Sequence, residues 1–220
     1  MEAGLEERVR GAAAALKVFP LPSAVLFPGT AIPLHIFEPR YRDMVADALR
    51  GDRVIALGDL LPGWERDYAG RPPLAQIGCA GVITWYEELP GGRYNLVLEG
   101  VARFRLIEEL PPEHRYREIR AELLWDGDDS GPLDELVRQA VLEVAGRLPE
   151  EAGDSLVQQA AKARGGALAD VVAASLVPEL ERRKELLAEL DPRARLQAVL
   201  DDVGELMARL SAASPRGPLN

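Results

Sequence analysis

Few side chains in this 220-residue sequence could do chemistry beyond charge pairing. The two histidines, His35 and His114, and the single cysteine, Cys79, lie far apart along the chain. Neither histidine has a second His or a Cys at i+3 or i+4, the helical spacing of many zinc sites. Cys79 sits among Gly78, Ala80 and Gly81, with no nearby Lys, Arg or His to lower its pKa, so it reads as a buried, inert thiol. The run Asp126-Gly127-Asp128-Asp129 is acidic enough for calcium but lacks the alternating ligands and closing Glu of an EF-hand loop. Gly165-Gly166 is followed by Ala-Leu, so it is not the phosphate-cradling G-x-x-x-x-G-K-[ST] loop. These patterns imply no metal and no cofactor. What remains is aromatic surface. Trp64 and Tyr68 stand in a loop of Pro, Gly and charge. Trp85 and Tyr86 are adjacent in a strand, so one of them faces away from the core if the strand is regular. Apolar groups rimmed by polar ones are the chemistry of protein recognition.

The elements that must position these aromatics are legible in the chain's opening third. Val18, Phe19 and Leu21 form a short β-rich run that Pro20 and Pro22 push toward a sheet edge or a strand end. Pro28-Gly29 is a turn signal. Ile32, Leu34 and Ile36 alternate with Pro33 and His35, the period of a strand with one buried face. Pro39 suits the first turn of a helix, and Tyr41, Met44, Val45, Ala48 and Leu49 make an amphipathic stripe after it. Arg53 to Leu57 and Ile77 to Leu89 read as strands, and Pro90-Gly91-Gly92 as the hairpin turn after the second. Tyr94, Leu96 and Leu98 continue the alternation until Gly100, which marks a bulge or bend. Arg103 to Leu110 and Tyr116 to Trp125 complete a sheet. Beyond Trp125 the periodicity changes to helical. Leu133, Leu136, Val137, Ala140, Val141 and Val144 form one stripe, and Leu196, Val199, Leu200, Val203, Leu206, Met207 and Leu210 another. Asp191 is placed to cap that last helix, with Pro192 at its first position.

The string FPLPSAVLFPGTAIPLHIFEPRYRDMV, Phe19 to Val45, resembles the opening of the Lon protease N-terminal, substrate-binding domain. GRYNLVLEGVARF, Gly92 to Phe104, is similar to that family's strand, Glu-Gly and Arg segment. Leu186, Leu187, Glu189, Asp191, Arg195 and Leu196 loosely occupy its helical LLE-x-x-D-x-x-x-RL pattern, with Ala188 inserted. The resemblance runs from about Lys17 to about Leu210. It implies an α+β fold: a PUA-like β pseudo-barrel with one early helix, followed by an α-helical bundle. It also implies a stand-alone substrate-binding domain, since neither the ATPase loop nor a matching Ser–Lys peptidase pair is found. The motif residues Pro28, Gly29, Glu38, Arg40, Tyr41, Glu99, Gly100 and Arg103 read as structural in the first instance. A Glu at a helix N-terminus is favoured by the dipole, and an Arg among strand residues commonly pairs with an acid.

The resulting organisation is an N-terminal helical extension over residues 1–16, the β-rich domain over 17–125, an acidic linker at 126–131, a helical subdomain over 132–212 and a disordered tail at 213–220. Net charge is −10 and the pI about 4.9. That balance argues against a nucleic-acid binder, whose phosphate contacts need clustered Lys and Arg. No apolar run approaches the ~20 residues that span a bilayer, and the N-terminus has no secretory core. One cysteine fits a reducing cytoplasm. The expected function is a non-catalytic module that binds unfolded polypeptide or a protein partner through exposed apolar segments, in an oligomeric state left open. Two other classes stay in view. An enzyme using the barrel mouth would show a cleft holding His35 or Cys79 with acidic neighbours. A PUA-like nucleic-acid adaptor would show a coherent face of Arg103, Arg105, Arg115, Arg117 and Arg120.

Overall fold

A computed structural model describes residues 3–67, 70–127 and 131–213. Its elements are α1 (Ala3–Ala12), β1 (Leu16–Pro20), β2 (Ala31–Ile36), α2 (Pro39–Arg50), β3 (Val54–Gly58), β4 (Ile77–Leu89), β5 (Arg93–Glu109) and β6 (Arg117–Leu124). Five helices follow: α3 (Pro132–Ala145), α4 (Glu150–Lys162), α5 (Gly165–Leu176), α6 (Leu180–Ala188) and α7 (Pro192–Ala213). The chain divides into two compact units, residues 1–125 and 126–220.

In the first unit the strand order is β2-β5-β4-β3-β1-β6, and β6 also pairs with β5. Hydrogen bonding therefore runs round a closed ring of five strands, with β2 hanging outside it on β5. Ring closure explains why β1, despite Pro20, is an interior strand. It pairs parallel with β3 and antiparallel with β6, and Pro20 falls at its last residue, where the missing donor costs least. Arg103 to Leu110 is not a separate strand: β5 runs unbroken for 17 residues. The irregularity at Gly100 is a bulge. Gly81 pairs with Gly100 and Ala80 with Ala102, leaving Val101 extra. A second bulge leaves Thr84 of β4 extra, between the pairs Ile83–Leu98 and Trp85–Val97.

Both faces of the central strands are covered. Val54, Ala56, Ala80 and Val82 share one face with Leu16, Val18 and Phe104, and Val9 and Ala12 of α1 close over them. Ile55, Leu57 and Cys79 alternate to the other face. There Phe19, in register with Leu57, meets Tyr41 of α2 at 4.5 Å between ring centroids. Tyr41, Met44, Val45 and Ala48 are the buried stripe of α2, as its spacing predicts.

The second unit is helical. Val137, Val141 and Val144 of α3 are buried, but Leu136 is exposed. Val199 and Val203 of α7 are buried together with all of α5 except Ala167, Ala174 and Ser175. The backbone N–H of Arg193 donates to Asp191 Oδ1 at 2.9 Å, which caps the start of α7. Asp126 does not behave as a solvated linker residue. It forms an ion pair with the fully buried Arg195, whose Nε also lies 3.0 Å from the buried Asp170. Arg195 Nη1 donates to the Glu189 carbonyl at 2.7 Å. A buried guanidinium needs such partners on every side. Asp128, Asp129, Ser130 and the segment from 214 onward lie outside the described residues. Among the described residues, no helix is long and apolar enough to cross a membrane.

Candidate functional site

Strands β2, β5 and β4 form a three-stranded rib whose register lines up side chains row by row. Pro33, Val97 and Trp85 make one row, and His35, Asn95 and Glu87 the next. Paired residues share a face, and alternation puts these two rows on the face opposite the buried Leu96, Leu98 and Tyr94. Trp85 is 53% exposed. Phe37, one residue past β2 and 61% exposed, stacks on His35 at 6.0 Å between centroids. The polar row is tied together: His35 Nδ1 lies 2.7 Å from Asn95 Oδ1, and Asn95 Nδ2 donates to Glu87 at 3.5 Å. The result is apolar surface rimmed by polar groups.

Three local features hold this rib. Phe27-Pro28-Gly29-Thr30 is a tight turn, with the Thr30 N–H donating to the Phe27 carbonyl at 3.2 Å and Gly29 at φ +73°. It is clamped to β5 by two bonds of 2.8 Å, Gly29 N–H to the Gly100 carbonyl and Gly100 N–H to the Thr30 carbonyl. A Cβ at Gly100 would overlap the Phe27 carbonyl, so only glycine lets the turn approach. At the far end, Arg42 of α2 donates to the Gly91 carbonyl at 2.8 Å, fixing the β4–β5 turn. Between them, Arg53, itself at φ +62°, stands over the Tyr86 ring at 5.9 Å.

Tyr86 is on the other face from Trp85, in the row of Leu34 and Leu96, yet it is 42% exposed. Both adjacent aromatics therefore meet solvent. β3 ends opposite Val82, so beyond that point β4 has no neighbour on that side, and neither face is fully covered. Trp64 is placed differently from expectation. The bridge between Leu60 and Leu74 pinches the loop shut, and Trp64, in a short 3-10 turn, packs half-buried on the α1-side core. Tyr68 lies outside the described residues.

The motif residues divide. Pro28, Gly29 and Gly100 build the turn just described. Glu38 precedes α2 and pairs with Arg40 at 3.2 Å, and Arg40 lies over the ring of the buried Tyr41. Arg103 is buried in β5, in register with Cys79 and Leu124. Glu99 pairs in backbone register with Ala31 and Val82 and is half-buried. None of these joins the aromatic rows. The five arginines that could have formed one face do not: Arg103 is buried, and Arg105 and Arg120 pair across strands with Glu122 and Glu108. Cys79 is buried with its Sγ 3.6 Å from the Ala80 carbonyl, remote from the exposed His35. Among the described residues, no three His, Cys, Asp or Glu groups are placed to hold a metal ion. Phe37 is the site residue that sequence reasoning missed, although its signal was present: it is out of phase with the inward series of half-buried Ile32 and Leu34 and buried Ile36.

The fold is that of a Lon N-terminal domain. A Lon N-terminal domain protein from Xanthomonas campestris superposes with a TM-score of 0.62 at 25% identity, over 91% of this chain and 99% of that one. The N-terminal domain of a Mycobacterium avium complex Lon protease has the same fold, with a TM-score of 0.67 at 14% identity over 87% and 98%. The sequence profile of the ATP-dependent protease La (LON) substrate-binding domain matches residues 15–203, and the chain belongs to that family. It is 30% identical over 195 residues to Lon protease 2 of Myxococcus xanthus, covering 84% of this chain and 23% of that protein. It is 33% identical over 198 residues to Lon protease of Paraburkholderia phytofirmans, covering 86% and 24%. The chain thus spans about a quarter of the length of these relatives.

Proposed function

We propose that the chain is a non-catalytic protein-binding module that takes exposed apolar segments of unfolded polypeptide on the outer face of β2, β5 and β4. One observation carries this reading: Trp85 and Phe37 are large aromatics left more than half exposed on a rib held in place by the Gly100 turn and Arg42. Rigid aromatics contribute contact area at low entropic cost, and hot spots of interfaces are enriched in them. The closed ring of β5, β4, β3, β1 and β6 is read as the PUA-like pseudo-barrel. The described residues bring together no nucleophile and base, which favours binding over catalysis. The reading places the module in the cytoplasm with protein rather than nucleic acid as its partner.

The test is affinity for a reduced, unfolded client protein, with Trp85→Ala and Phe37→Ala variants. The expected result is a loss of about 2 kcal/mol, roughly thirtyfold in Kd, for the double variant. Its urea midpoint should stay close to that of the parent, because both side chains are exposed. Unchanged affinity in a folded double variant removes the rib as the binding surface.

A further inference from the structure

We propose that the β-rich unit binds a compact oxyanion, a carboxylate or a phosphate group, in a cavity of about 220 Å³ between the start of α2 and the segment leading into β6. Four guanidinium groups line it, from Arg40, Arg71, Arg115 and Arg117, together with His114 and Tyr116. Among the described residues, no carboxylate lines it. The lining itself is thus cationic in a chain of net charge −10.

The supporting charges lie behind the arginines. Glu109 accepts from Arg117 at 2.8 and 2.7 Å and also takes Arg71 at 2.7 Å. Two guanidinium groups thus share one carboxylate, which leaves that trio with a net positive charge. Arg117 is further fixed by donating to the Pro72 carbonyl at 2.7 Å, so it is a buried, rigid cation. Arg40 has Glu38 at 3.2 Å, and His114 has Glu118 at 3.7 Å. Arg115 stands 3.9 Å from Asp43 with 74% of its side chain exposed, the loosest of these pairs. Tyr116 donates its hydroxyl to Asp47 at 2.7 Å and so holds the wall between this cavity and α2.

The chemistry of the lining selects the ligand. Planar guanidinium forks match carboxylate and phosphate oxygens two at a time. The N-terminus of α2, where Arg40 and Tyr41 enter the lining, adds the partial positive charge of a helix start. The volume is below the roughly 300–1,000 Å³ of pockets for drug-sized ligands, which suits one anionic group better than a nucleotide. The cavity is separate from the Trp85 rib and stands on its own residues.

The test uses the full chain and inorganic phosphate, followed by calorimetry and by melting temperature at constant ionic strength, with chloride as the control. The expected result is saturable binding of phosphate that chloride does not reproduce. Arg115→Gln and Arg40→Gln should each weaken it at least about tenfold. Arg115→Gln should leave the unliganded melting temperature in place, because that side chain is mostly exposed. A second arm asks where the anion comes from. A short peptide with a free α-carboxylate, compared with its amidated form, displaces phosphate if the cavity receives polypeptide C-termini. If neither peptide competes, a free ion is the occupant. No saturable response in the millimolar range, or one that survives both substitutions, overturns the proposal.

Discussion

Along β4 one backbone passes through two environments. From Gly78 to Ile83 every residue is buried, and from Thr84 to Glu88 every residue is exposed. The hydrogen-bonded partner is the same on one side throughout, because β5 accompanies β4 to its end. The difference comes from the other side and from the faces. In the first half β3 is paired and both faces are covered, so the sequence reads GCAGVI without alternation. In the second half β3 is absent and a bulge at Thr84 turns the strand, so TWYEE meets solvent on both faces. Burial in this sheet follows the number of neighbours rather than the hydrophobicity of the side chain. The most apolar aromatic in the strand, Trp85, lies in its exposed half.

Substitutions beside the two halves of β4 should separate by size. Phe104→Ala, on β5 opposite Gly78 in the covered half, should cost about 3–5 kcal/mol of stability in urea denaturation, against ~0.5 kcal/mol or less for Trp85→Ala. Comparable losses at both positions would show that the exposed half contributes to the core after all. Gly100→Ala forces a methyl onto the Phe27 carbonyl and should cost about 3 kcal/mol, with the rib disordered before the rest of the sheet unfolds. Hydrogen exchange of the Tyr94–Leu98 amides checks the second half of that statement.

Trp64→Ala sharpens the comparison from the loop side. Half-buried on the core, Trp64 should cost about 2 kcal/mol in stability and leave client affinity within twofold, the reverse of Trp85. The smallest effect concerns Tyr116. Burial first, and then its hydrogen bond to Asp47, push its phenol well above the ordinary value of 10. A group whose pKa is raised by folding contributes in full below its unfolded pKa and loses that contribution as pH climbs toward the folded value. Stability should therefore fall from about pH 10 upward, and Tyr116→Phe should flatten that fall. Absorbance of tyrosinate should show one fewer phenol resisting ionisation in the variant than in the parent, where burial also raises Tyr94.

Much of this was legible in local pattern. Pro39 and the 3.6-residue stripe gave α2. Gly91-Gly92 gave the hairpin, with both residues at positive φ, and Asp191 gave the cap of α7. Each depends on interactions within a few residues, which sequence spacing records. The motif arginine Arg195 was visible too, but not its role. It is fully buried among Asp126, Asp170 and the Glu189 carbonyl, and those acids come from distant parts of the second unit.

The sequence by itself determined the two periodicities, the turn chemistry and the family, because these reside in residue type and short spacing. Only the tertiary structure decided which aromatics are surface. Trp64 and Trp85 look alike as residues in polar company. One is folded back onto the core by a bridge between Leu60 and Leu74, and the other is left out where β3 ends. The cationic cavity belongs to the same kind of decision. Arg40, Arg71, Arg115 and Arg117 are spread over nearly eighty residues, and only closure of the ring between β1, β6 and β5 brings them to one wall. Exposure and electric field are properties of neighbours in space, and a chain read along its length does not list them.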